Sequence, residues 1–385
     1  MQYFDVAVVG LGAMGSAALA FLAQRGVKVI GIEAAYPAHA LSSSHGDSRL
    51  IRLGYFEDPS YVPLLLRAYE NWHLLEAQLR TEILTISGVL QIGAPTSAIV
   101  TGSRASCQMH GLAYEELDSR MLARRYPQFS VDAEDVAIFD PEGGFLRPEL
   151  AIMGYLKLAA QHGAIMHFGE KVTAIAADDA GVSLAFGENR CRARNVIVAT
   201  GPWIGELVPE LAAHANPIRQ VVAWYRPGAA IKAGPQDMPA FLYDQEDGSY
   251  FGFPAFVKDG IKLGRHAHFY EPLDPNAANP PVNRRDTDLL DDFISRHIPS
   301  AAGQRVNAIT CRYTMLPDEN FLLDHLPSEK RIIVASPCSG HGFKFASVIG
   351  EILADLAVKG ETSLPIDAFS FDALQKRVQG AENLV

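Results

Sequence analysis

The stretch Phe4 to Gly15, FDVAVVGLGAMG, decides the fold. Residues 4–9 are an apolar run of strand length interrupted only by Asp5. Gly10, Gly12 and Gly15 follow at GxGxxG spacing, and Met14, Ala17, Ala18, Phe21 and Leu22 then recur at helical spacing up to Gly26. The order is strand, tight turn, helix. A second buried strand, Val27 to Ile32, ends at Glu33, twenty-one residues beyond Gly12. A dinucleotide-binding fold places its carboxylate there, to accept hydrogen bonds from the adenosine ribose. Gly10 permits the turn, Gly12 lets backbone N–H groups approach a pyrophosphate, and Gly15 lets the helix close on the strand, while the helix N-terminus favours negative charge. The alternative is that these glycines only shape a packed βα turn; strand, helix and acid in register favour the nucleotide.

The same glycines dispose of another reading. Val6 to Gln24 runs nineteen residues without a charge, which could suit a signal or membrane helix. No basic segment precedes it and Asp5 stands at its edge, so no membrane role is expected. The 385 residues suit two domains or one large α/β unit. With 48% apolar and 20% charged residues, the chain can bury a core and is not of disordered type. Lys and Arg number 33 against 44 Asp and Glu, a net charge of −11, and without a basic run there is no field to gather nucleic acid. Cys107, Cys191, Cys311 and Cys338 form no CxxC pair. That argues against structural zinc and a disulfide scaffold, and the expected setting is a reducing cytoplasm.

NAD and FAD share the glycine fingerprint, so later segments must choose between them. Asn195 to Thr200 is another buried strand, closed by Gly201-Pro202-Trp203, and Arg331 to Ala335 is a third, followed by Ser339-Gly340-His341-Gly342 and a helical pattern from Phe343 to about Lys359. Each delivers the C-terminal end of a parallel-type strand, where open α/β sheets bind ligands. Returning twice to the nucleotide sheet implies an interleaved chain, an arrangement of flavoproteins more than of dehydrogenases. Between the visits, Ile83 to Gly93 and Tyr250 to Phe269 read as strands, and 270–286 is a Pro/Asn-rich loop before the helical stretch 287–298. The substrate domain is expected there.

Five segments carry a resemblance: Ser44-His-Gly-Asp-Ser-Arg49-Leu-Ile-Arg52, Gly144-Phe-Leu-Arg-Pro-Glu149, Ile261-Lys262-Leu-Gly-Arg-His266, Thr310-Cys311-Arg-Tyr313 with Pro317-Asp-Glu-Asn-Phe321, and Ser339-Gly-His-Gly-Phe-Lys344-Phe345. In this order, nearly end to end, the chain resembles the monomeric sarcosine oxidase family of amine-oxidising flavoenzymes. The resemblance implies an α/β fold in which a glutathione-reductase-type, Rossmann-like FAD-binding domain (1–85, 142–215 and 316–385) is interleaved with a mixed-sheet α+β substrate domain (86–141 and 216–315). It implies oxidation of a secondary amino acid of sarcosine or N-methyltryptophan type, with hydride passing to FAD and O2 reduced to hydrogen peroxide. The imine is then hydrolysed, releasing formaldehyde from N-methyl substrates. A monomer is expected.

The resemblance also implies roles for residues. FAD would lie against Gly10, Gly12, Gly15, Glu33, Ser44, Arg49, Val172, Gly201, Trp203, Gly340, Gly342 and Lys344, with a thioether to Cys311. Arg52 and Lys344 would hold the substrate carboxylate; an Arg fork suits a carboxylate, and a Lys at a helix start acts as a point charge. Lys262 would be the cation that assists O2 reduction, His266 would orient the amine, Arg49 would sit near the flavin, and Tyr313 would wall the pocket. Taken alone, Arg49 and Arg52 read as solvated loop charges and Lys262 as an ordinary strand charge. Lys262, His266 and His268 are spaced to share one face of an expected strand, and Arg312, together with the cationic segments that the resemblance brings near, is expected to make a thiolate at Cys311 more accessible. The His266/His268 pair lacks a nearby third ligand, so no metal is expected. Cys338 is a competing flavin link only if the alignment is displaced. Phe251 stands where family members carry Tyr, and Arg265 where Tyr or Lys is expected, which leaves the amine open. The rivals are an imino-acid (pipecolate- or proline-like) oxidase, a dehydrogenase passing electrons to a carrier, and a non-catalytic flavin-bound interaction protein.

Overall fold

The computed structural model of the protein describes residues 1–256 and 260–382. Two eight-stranded sheets and one three-stranded sheet organise it. In the first, the parallel strands Ile165–Phe168, Val29–Glu33, Gln2–Val9, Asn189–Val198 and Glu329–Ser336 lie side by side in that order. Val9 is in register with both Ile32 and Val198, and Val198 with Val334. Because the strands run the same way, the residues after them gather on one edge: Gly10, Glu33, Gly201 and the 338–342 turn. Two glycines are required there by contact. Gly10 has φ +86°, and a Cβ on it would lie 2.6 Å from the Ala199 carbonyl oxygen; a Cβ on Gly15 would lie 1.8 Å from the Gly10 oxygen. The helix Ala13–Gln24 can therefore close on its strand only without side chains at these points.

The second sheet is ordered Arg305–Met315, Asn216–Tyr225, Ile261–Arg265, Gly248–Phe253, Ala240–Gln245, Val89–Gly93, Val136–Asp140 and Glu115–Asp118, antiparallel except where Ala240–Gln245 pairs with Val89–Gly93. Its period-two alternation sorts side chains cleanly. Val221, Ala223, Tyr225, Phe241, Tyr243, Tyr250, Ile261 and Leu263 pack in one core with Phe293 and Leu290 of the helix Arg284–His297. Their neighbours Gln220, Val222, Leu242, Phe251, Phe253, Lys262 and Cys311 turn the other way and line a cavity. A small antiparallel sheet of Arg49–Ile51, Gly144–Leu146 and Leu84–Ile86 carries Arg49. The chain thus passes from the first large sheet through the small one to the second, and twice back again.

Several sequence expectations need adjustment. The segment 83–93 is two strands in different sheets, parted at Gly88 with φ +72°. The segment 250–269 contains strand only at its start and at Ile261–Arg265, and residues 257–259 lie outside the described residues. After Arg265 the chain turns through positive φ at Ala267 and His268, so the shared strand face expected for Lys262, His266 and His268 does not exist. Phe343 to Phe345 belong to a 3-10 turn, Gly342–Phe345, and the α-helix begins after it, at Ala346–Lys359. No helix among the described residues is long and apolar enough to cross a membrane.

Candidate active site

Between the parallel edge and the second sheet lies a cavity of about 610 Å³. Of the residues the sequence singled out, Gly10, Gly12, Glu33, Ser44, Arg49, Arg52, Val172, Gly201, Trp203, Lys262, His266, Cys311, Tyr313, Gly340, Gly342 and Lys344 all line it. Gly15 does not; it stands behind, closing the helix on the turn.

At the nucleotide end, Glu33 accepts hydrogen bonds from the Leu11 amide (2.8 Å) and the Ala35 amide (3.1 Å), with His39 Nε2 at 3.5 Å. Burial alone would raise its pKa, but these donors outweigh burial and hold the carboxyl below its ordinary value. It is an ionised acceptor with lone pairs to spare. Gly12 caps the following helix without a side-chain acceptor, and a Cβ there would meet no protein atom within 4 Å. His39 Nδ1, Ser43 Oγ, Thr200 Oγ1 and Thr314 Oγ1 are buried polar atoms without a hydrogen-bond partner among the described residues, and all four residues line the cavity. An uncapped helix start, an ionised acid and orphaned donors are what a dinucleotide would satisfy, so FAD fits the residues present.

At the centre, three hydrogen bonds fix the Lys262 ammonium: Gly46 O (2.6 Å), Ser48 O (2.9 Å) and Ser48 Oγ (3.3 Å). Burial first, and then the Arg49 charge, press its pKa down to about 7 against the opposing pull of Cys311, Asp47 and Glu149. Arg49 is tied to the carbonyls of Ser48 (2.8 Å), Ser43 (2.8 Å) and His45 (2.6 Å). Cys311 packs with Val222 and Trp224, opposite Gln220. Arg312 is not its neighbour in the cavity. As the next residue in a strand it points away, donating to Pro275 O, Ala277 O and Asn279 Oδ1 and so pinning the 270–286 loop; Lys262 and Arg49 are cations that share the cavity with Cys311. Burial pushes the Cys338 thiol up to about 11, Cys107 to about 12 and Cys191 to about 11.

His266 and Tyr313 face each other with ring centroids 5.7 Å apart, and a Cβ on Gly340 would press on both rings at 2.6 Å. His266 Nε2 lies 3.6 Å from Glu319, whose carboxyl is held below its ordinary value by His266 and by the Tyr270 hydroxyl. His268 leaves this group altogether. It is buried against Asp286 (2.9 Å), which Arg219 also binds (2.5 Å), so the two histidines diverge. No group of three or more His, Cys, Asp or Glu among the described residues is placed to hold a metal ion.

The carboxylate end contains two residues that the sequence reading missed. Arg52 is buried, its Nη2 donates to Glu57 Oε2 (2.6 Å) and Oε1 (2.8 Å), and its Nη1 donates to Gly54 O (3.0 Å). Burial opposes ionisation of Glu57, yet Arg52 outweighs it and the carboxyl is held down to about 2. Lys344 donates to His341 O (2.8 Å), and burial and Arg52 lower its pKa to about 7. His341 is the second omission: Nε2 meets Glu319 O at 2.8 Å and Nδ1 meets the Tyr55 hydroxyl. Burial lowers its pKa to about 4, so the ring is neutral, with Nε2–H donating and Nδ1 accepting. An acid five residues after Arg52 was the available signal for Glu57. Tyr250, the neighbour of Phe251, brings no hydroxyl into the cavity: it stacks on Phe293 at 4.2 Å and donates to Asp247, on the opposite face. Arg265 does not line the cavity and binds the carbonyls of Asp247 and His268.

This fold and cavity define an FAD-dependent oxidoreductase acting on the C–N bond of amine donors. The chain belongs to the FAD dependent oxidoreductase (DAO) family, which it matches over residues 5–356. It is 37% identical to a monomeric sarcosine oxidase of Streptomyces avermitilis over 372 residues, covering 95% of this chain and 96% of the relative. It is 35% identical to an N-methyl-L-tryptophan oxidase of Yersinia pestis over 369 residues, covering 95% and 98%. Among solved structures, the open form of NikD, described as an unusual amino acid oxidase essential for nikkomycin biosynthesis, superposes with a TM-score of 0.85 at 26% identity, covering 96% and 98%.

Proposed function

We propose that the protein is an oxidase of N-methylated or cyclic secondary amino acids. One observation carries the reading: Arg52 and Lys344, two buried cations, share a cavity with His266, Tyr313 and Lys262 beside a dinucleotide cradle. An amino acid bound there would place its carboxylate on Arg52 and Lys344, displacing or sharing Glu57, and its amine toward His266 and Tyr313. FAD supplies the two-electron acceptor for the hydride leaving the carbon next to nitrogen, and the amine proton is released as the C=N bond forms. Water then hydrolyses the imine. Lys262 offers a fixed cation in a buried site where negative charge would develop during O2 reduction, and Cys311 is the residue proposed to carry the cofactor covalently. The 35–37% identity to two N-methyl amino acid oxidases supports this substrate class.

Anaerobic bleaching of the flavin against sarcosine, other N-methyl amino acids, pipecolate and proline tests the reading, with peroxide measured on readmitting air. Bleaching by at least one member followed by stoichiometric peroxide is the expected result. Bleaching with no peroxide would assign electrons to a carrier, and no bleaching by any amine would overturn the enzyme assignment at this site.

A further inference from the structure

The Lys262 ammonium owes its place to a turn that is itself held from elsewhere. Two of its three acceptors are the carbonyls of Gly46 and Ser48. Gly46 has φ +104° and Asp47 has φ +72°, and Ser48 N donates back to Gly46 O at 2.9 Å. A non-glycine residue in this region is unfavourable and persists only where surroundings over-determine it. A carboxylate from a distant element holds this turn: Glu149, the second residue of the helix Pro148–Gln161. Its Oε1 accepts from Gly46 N (2.7 Å) and Asp47 N (3.3 Å).

The peptide between Gly46 and Asp47 is therefore clamped at both ends. In a planar trans peptide the C=O and N–H point in opposite directions, so the Glu149 anion sits at the N–H end and the Lys262 cation at the C=O end. The peptide dipole is aligned with both charges. Glu149 reaches the turn because the strand before its helix, Gly144–Leu146, pairs with Arg49–Ile51. Its charge also favours the protonated form of Lys262.

We propose that Glu149 is a positioning residue for Lys262: through the 46–47 peptide, its carboxylate fixes the carbonyl on which the lysine ammonium rests. The proposal rests on the reading of Lys262 as the cation that assists O2 reduction. It requires Glu149 to matter for the oxygen half-reaction and not for reduction by the amine.

The test uses the holoenzyme and its Glu149→Ala, Glu149→Gln, Glu149→Asp, Lys262→Met and Lys262→Met/Glu149→Ala variants. Each half-reaction is followed by stopped flow, and hydrogen exchange of the Gly46 and Asp47 amides is measured in the resting enzyme. Glu149→Ala should slow reaction of the reduced enzyme with O2 by roughly 10- to 100-fold, as misplacing a catalytic group by about 1 Å does, while anaerobic reduction changes far less. Both amides should lose protection. Glu149→Gln, whose amide oxygen can accept the same bonds, should keep most of the rate, and Glu149→Asp, one methylene short, should not. The double variant should be no slower than Lys262→Met. Reoxidation at the wild-type rate in Glu149→Ala, with Lys262→Met slow, would overturn the proposal and leave the Lys262 reading standing. A Gln variant as slow as the Asp variant would replace positioning by charge and also overturn it; this comparison decides the matter if the Ala variant does not fold. Unimpaired reoxidation in Lys262→Met would sink both readings together.

Discussion

Glu57 lies with both carboxylate oxygens on Nη2 of Arg52, at 2.6 and 2.8 Å. The cation proposed to receive a substrate carboxylate thus already holds an internal one. An incoming carboxylate must displace Glu57 or share Arg52 with it, and Glu57 remains ionised because Arg52 holds its pKa down to about 2. Glu57→Gln should therefore tighten binding of simple carboxylates, by up to about tenfold if half of a charge-assisted bond of roughly 1.5–3 kcal/mol is released. Titration of the flavin absorbance with acetate measures it. Weaker binding in the variant would mean that Glu57 orients Arg52 instead of competing for it.

Lys344 should matter for carboxylates and for pH together. Lys344→Met removes a charge-assisted contact worth roughly 1.5–3 kcal/mol, so binding of the substrate acid should weaken by about one to two decades. Methyl esters should bind the wild type and the variant alike. Esters that reduced the wild-type flavin as well as the acids do would remove the clamp from the mechanism.

The sign of the pH effect follows from burial. The Lys344 pKa lies below its ordinary value, at about 7, so in the free enzyme the cation is lost as pH rises through that value. Bound carboxylate favours the proton. The dissociation constant of acetate, which carries no amine to confuse the titration, should rise above pH 7, approaching about tenfold per pH unit. The Met variant should show a flat profile across the same range; a profile unchanged by the substitution would place the titration elsewhere.

Lys262→Met keeps length and removes charge, and losing a preorganised electrostatic contact of this sort costs about 10²- to 10³-fold. The loss should fall on reoxidation by O2, with anaerobic reduction little altered. Because burial and Arg49 lower the lysine pKa to about 7, the wild-type oxygen reaction should also slow as pH rises through that value. Equal losses in both half-reactions would make Lys262 a general positioning group.

A covalent flavin at Cys311 predicts a yellow pellet after acid precipitation of the wild type and a colourless one for Cys311→Ser. Cys338→Ser should stay yellow. The reverse pattern would transfer the link to Cys338, although burial holds that thiol up at about 11.

The features legible in the linear chain are local or periodic. The strand, turn, helix and acid between residues 2 and 33 follow from glycine stereochemistry and apolar spacing within one βα unit. Period-two alternation sets Lys262 apart from Ile261 and Leu263 within its own strand, and motif order was enough to name the cations. Tertiary structure decided everything that joins distant segments or depends on where an element stops. His268 passed from the expected site to Asp286 because the strand ends at Arg265, and no period survives a turn through positive φ. Arg312 looked like a partner of Cys311 in sequence, but neighbours in a strand face opposite ways, and it holds the 270–286 loop. The contact of Glu149 with the 46–47 turn, about a hundred residues away, exists because two strands pair beside it. Carboxylate–cation pairing needs atoms within about 3 Å, and a linear order of residues does not contain such a distance until pairing and packing impose it.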